Sequence, residues 1–194
     1  YIAMAHLLHC GDRFVEATSL LLDAAKLLPS DSAILERLAD SFLFIDSPVA
    51  GHCAASYYEK ALALEPNSRR LKVKFASNLA ASGEYYDALT IYEDIVANGE
   101  GKPDGEYVRE LSVIYATLGL NEQGIEFFAE KIKRGGDARF VIASAVLSRG
   151  AGKIERAKKL LSTLKGSDAA PEHMRTYATV LLARYENSSA GRMD

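Results

Sequence analysis

The chain has 194 residues, of which 48% are apolar and 25% charged, with a formal net charge of −3. That composition supplies a sizeable core and excludes a disordered chain; the weak acidity argues against a general nucleic-acid binder, which needs a clustered basic surface. No run approaches the roughly 20 apolar residues that span a bilayer, and two cysteines, Cys10 and Cys53, cannot make a disulfide framework.

In chain order, the first stretch places Met4, Ala5 and Leu8 before Gly11, with Phe14, Ala17, Leu21 and Ala24 after it and Pro29 as a stop. Apolar residues three and four apart on both sides of a glycine predict two amphipathic helices joined by a tight turn. Pro29-Ser30-Asp31-Ser32 then reads as a stop and a helix N-cap. The second pair has Leu38, Ala39 and Phe42, a longer turn over Ile45–Gly51, then Ala54, Tyr58 and Ala61, with Pro66 as its stop. Pro66-Asn67-Ser68 repeats the stop-and-cap pattern. The third pair has Phe75, Ala76 and Leu79, a turn at Gly83, then Tyr85, Ala88, Tyr92 and Ile95. Three glycines and Pro103 within Asn98–Gly105 predict the weakest joint of the chain.

Beyond that joint, Leu111, Ser112 and Tyr115 precede Gly119, and Gly124, Phe128 and Lys131 follow it. Gly135-Gly136-Asp137 marks the next boundary. The fifth pair is read with Ile142, Ala143 and Val146 before Gly150 and Gly152, and Ile154, Ala157, Leu161 and Leu164 after them. A last helix over 171–186 carries Tyr177, Ala178 and Leu181, and 187–194 reads as a flexible tail. No strand pattern is present. Small residues at Ala5, Ala39, Ala76, Ser112, Ala143 and Ala178 would let paired helices approach closely, answered by Ala17, Ala54, Ala88 and Ala157 from the second helices. An irregular, alanine-rich helical bundle is the alternative to a repeat array.

These residues resemble the tetratricopeptide repeat, a helix-turn-helix unit of about 34 residues. The third unit matches best, through Phe75-Ala76, Leu79, Gly83, Tyr85, Ala88 and Tyr92; Gly124 and Lys131 stand where the family has Ala. The resemblance implies an all-α fold, a right-handed α-solenoid of antiparallel helix pairs. It would form a single domain over 1–186, with units near 1–31, 32–68, 69–103, 104–136 and 137–170 and the final helix. It also implies a function: non-catalytic binding of a protein or peptide segment in a concave groove lined by first helices.

By the same resemblance, the groove would be lined by His6 and His9, by Glu36, Asp40 and Leu43, by Arg70, Val73, Ser77 and Ala80, by Arg109, Val113 and Ala116, and by Phe140, Ser144 and Leu147. The family's carboxylate clamp of Lys, Asn and Arg would fall here on Ile2, His6, Asp40, Val73 and Ser77. Asp40 would repel a carboxylate, so no such clamp is expected.

Other signatures fail in detail. His6, His9 and Cys10 share a helical face and His52-Cys53 opens another helix, but the spacing is no zinc signature, so no metal or cofactor is expected. Ser148–Lys153 looks like a phosphate loop yet lacks the first glycine, the magnesium-binding hydroxyl at Ile154 and a preceding strand. No enzyme motif is found. The remaining alternatives are the repeat region of a larger enzyme or of a secretion or assembly complex, and self-assembly through apolar ends of the array. A chain opening inside a helical pattern reads as an excerpt of a longer array. With no export signal visible and few cysteines, the expected compartment is the cytoplasm.

Overall fold

A computed structural model describes residues 1–47, 49–98, 105–135 and 137–190. Among them all regular structure is helical: α1 (Ile2–Cys10), α2 (Phe14–Leu27), α3 (Ser32–Phe42), α4 (Ala50–Leu64), α5 (Arg69–Ala81), α6 (Tyr85–Asn98), α7 (Gly105–Thr117), α8 (Asn121–Lys133), α9 (Ala138–Gly150), α10 (Ile154–Lys165) and α11 (Glu172–Ala190). The chain divides into two compact units, Tyr1–Gly99 and Glu100–Asp194, where the sequence was read as one domain. The joint expected at Asn98–Gly105 lies mostly outside the described residues. The last helix also runs further than expected, to Ala190, so the tail composition of 187–190 did not end it.

Two of the helix starts follow directly from side-chain chemistry. The Asp31 carboxylate accepts from the amides of Ala33 and Ile34 at 3.0 and 3.1 Å, and Asp137 accepts from the amide of Arg139 at 2.9 Å. Each satisfies donors that a helix N-terminus leaves open. Ser68 occupies the corresponding place before α5, but its hydroxyl makes no capping bond.

Four of the helix pairs share one turn. Its key residue has positive φ: Asp12 (57°), Gly83 (85°), Gly119 (72°) and Gly152 (76°). The next residue donates its amide to the carbonyl five back: Arg13 to Leu8, Glu84 to Leu79, Leu120 to Tyr115, and Lys153 to Ser148, at 2.8–2.9 Å. This is the six-to-one bond of a Schellman motif, which favours glycine because a Cβ crowds the left-handed backbone. The first pair is therefore corrected: Gly11, with φ −101°, is not the turn residue, and Asp12 is. Asp12→Gly removes that strain and is expected to stabilise the chain by about 0.5–1 kcal/mol, read as a rise in the urea midpoint; an unchanged or lower midpoint would contradict it.

This turn fixes the register of everything around it. Seven residues before it stand Ala5, Ala76, Ser112 and Ala145, all buried. Five residues after it stand Ala17, Ala88, Gly124 and Ala157, and nine after it Leu21, Tyr92, Phe128 and Leu161, all buried. Small residues set the helix spacing and large ones fill the space beside them, and together these positions form the core of each pair. The second pair keeps the arrangement with Ala39, Ala54 and Tyr58 but uses a longer turn, from which Phe44 folds back and stacks on Phe14 at 5.1 Å.

Candidate functional site

In the first unit, four of the positions expected to line a groove, Glu36, Asp40, Arg70 and Ser77, are engaged in ion pairs and hydrogen bonds. Glu36 of α3 is 2% exposed. Arg70 of α5 bonds its carboxylate, and Lys74 Nζ lies 2.8 Å from Oε1. Lys74 also reaches the Asp40 carboxylate at 2.6 and 2.8 Å. Glu36 is thus corrected as a surface contact: its register faces outward, but the long side chains of α5 close over it. Asp40 is half-buried beneath the same lysine and accepts a 2.6 Å bond from the Tyr58 hydroxyl. Burial pushes the Tyr58 phenol up first, and the bond to Asp40 adds to it. One pair further on, Ser77 is bonded to the Tyr92 hydroxyl at 2.8 Å.

An apolar hollow of about 880 Å³ opens on the α1 and α3 side of this unit, between Leu7, Leu43 and Phe44, with His6, Arg37 and Asp40 at its polar edge. His6, His9 and Leu43 were expected to line a groove here; Phe44 and Arg37 were not. His9 Nε2 is 3.0 Å from Ser41 Oγ and its ring packs against Phe14 and Phe44. Among the described residues no cluster of His, Cys, Asp or Glu side chains is arranged to hold a metal ion.

In the second unit, a groove of about 530 Å³ runs between α7, α9 and α11. Its apolar walls are Val113, Ile142, Val146, Met174 and Tyr177; Arg109 and Arg139 supply its cationic groups and His173 an imidazole. Arg109 and Val113 were expected here. Phe140, Ser144 and Leu147 were expected as well, but all three are buried and are corrected as core residues. The groove-facing residues of α9 are instead Arg139, Ile142 and Val146. The error is one of register: Ala143 was taken as the close-packing residue, whereas Ala145 occupies that place. Counting seven back from Gly152, the glycine whose positive φ marks the turn, gives Ala145, whereas counting from Gly150 gives Ala143.

The two units differ at one equivalent groove position. Where the second helix carries a buried tyrosine, Tyr58 or Tyr92, the groove residue is polar, Asp40 or Ser77, and takes the hydroxyl. Where it carries Phe128 or Leu161, the groove residue is Val113 or Val146. A buried phenol requires a hydrogen-bond partner and a hydrocarbon does not.

The Ser148–Lys153 segment is a helix-helix turn: Ser148 is buried with its hydroxyl on the Ser144 carbonyl, and Lys153 pairs with Glu122. Among the described residues no helix is long and apolar enough to cross a membrane.

No family model matches the chain, and no curated protein does. Solved structures do. MamA matches at a TM-score of 0.65 with 16% identity, covering 96% of each chain. YrrB, a TPR protein with an unusual peptide-binding site, matches at 0.61 with 18% identity over 92% of this chain and 90% of its own. A tetratricopeptide repeat protein from Parabacteroides merdae matches at 0.67 with 17% identity over 99% of this chain and 74% of its own. At such identities the likeness speaks for architecture alone, and with the shared turn and core register it places the chain in the all-α tetratricopeptide-repeat fold.

Proposed function

We propose that the chain is a non-catalytic protein-interaction scaffold that docks a segment of a partner protein against its first helices. The groove between α7, α9 and α11 carries this reading. It is an open trough with apolar side chains on its walls, and Val113 and Tyr177 are 51% and 50% exposed. Exposed apolar surface concentrated in a concave site, rimmed by charge, is what a docked segment covers. The peptide-binding site of YrrB, on the same fold, agrees with this reading.

The test is positional. A photo-reactive amino acid at Val113 or Val146 is expected to cross-link a partner protein in cells of the source organism. The same label at Glu126, exposed on the second helix α8, is expected to give no such product. Equal labelling from both faces, or none from the groove, would reject the assignment.

A further inference from the structure

The chemistry of the occupant can be narrowed, on the premise that the α7, α9 and α11 groove is a docking site. We infer that it takes a segment in which aliphatic side chains are interspersed with aspartate or glutamate. Among the described residues, the lining contains two guanidinium groups and an imidazole, and no carboxylate. The carboxylates nearest in the sequence, Glu110 and Asp137, pair with Arg109 and Arg139 at 3.0 and 3.4 Å but do not line the groove. The Arg109 pair uses a single Nη2 contact on a side chain that is 71% exposed. Such a solvated pair is weak, and the planar guanidinium can still offer a fork of donors to an incoming carboxylate.

The surface between these cations is mostly hydrocarbon. Val113 and Val146 stand where the first unit has Ser77 and Asp40, so a docked backbone meets methyl groups rather than hydroxyls or acids. A basic segment would place its charges against Arg109 and Arg139, a repulsive arrangement. A wholly apolar segment would leave the exposed guanidinium of Arg109 unused.

A displayed library of random short peptides, selected on the full chain, tests this. The expected outcome is enrichment of Asp and Glu together with Leu, Ile, Val or Phe, and depletion of Lys and Arg. Arg109→Glu is expected to weaken the selected peptides about tenfold, and Arg109→Gln less, with binding falling as ionic strength rises. Arg109 is solvated, so these variants fold, and a melt confirms it. Neutral or basic winners that are lost in Val113→Asp would overturn the inference while leaving the groove as a docking site. Winners indifferent to both Arg109→Glu and Val113→Asp, or no winners at all, would overturn both.

Discussion

Gly124→Ala is expected to destabilise the second unit by about 1–3 kcal/mol, although alanine is the better helix former by about 1 kcal/mol. A Cβ at Gly124 would lie 2.5 Å from Leu147 Cδ1 and 2.8 Å from Tyr115 Cγ. Both neighbours are buried, at 0% and 1% exposure, so neither has room to withdraw. The equivalent positions in the other pairs are alanines: Ala17, Ala88 and Ala157. The difference has a cause in α7. Tyr115 stands where the other first helices have Leu8, Leu79 or Ser148, and the larger ring takes the space of a methyl group on α8. The two positions should therefore be coupled: Gly124→Ala in a Tyr115→Leu background should cost less than in the natural chain. Urea unfolding followed by far-ultraviolet circular dichroism gives both numbers. A Gly124→Ala protein as stable as the natural one would refute the close approach of α7, α8 and α9.

Lys74→Met is expected to cost about 2 kcal/mol, toward the low end for a broken buried ion pair because Arg70 stays in place. Lys74 is the cation that touches both Glu36, at 2.8 Å, and Asp40, at 2.6 Å. Glu36 is 2% exposed, so removing one of its two cations leaves a desolvated carboxylate less compensated. Glu36→Gln should recover part of the loss, and the double variant should cost less than the two single changes summed. Equilibrium unfolding of the three variants reads the coupling. A Lys74→Met change within about 0.5 kcal/mol of zero would show that the network contributes no more than an ordinary surface pair.

The helical pairs were legible in the sequence because their signals are local. Three- and four-residue apolar spacing, Pro29 and Pro66 as stops, and Asp31 as a cap each depend on a few neighbouring residues. The groove was legible only where the register was. Arg109 and Val113 line the groove, in the register set by Ser112, the small residue seven places before Gly119. Phe140, Ser144 and Leu147 do not, because α9 offers two alanines, Ala143 and Ala145, and only distance from the turn decides between them. Asp12 was not legible as the turn residue because Gly11 beside it is the residue type that a left-handed turn favours. Glu36 posed a different difficulty: nothing near it in the sequence shows that Arg70 and Lys74, over thirty residues later, cover it.

The hydroxyl bond from Tyr58 to Asp40 has a consequence for how such a protein diverges. A binding face is usually imagined as free to vary while the interior stays fixed. Here a change of Asp40 to valine removes the acceptor of the buried Tyr58 hydroxyl and a carboxylate from Lys74, so that step alone is penalised unless Tyr58 becomes phenylalanine with it. Position 40 should therefore drift only in a linked double exchange with position 58, one outside and one inside, whereas Val113 and Val146, set beside Phe128 and Leu161, can change one codon at a time.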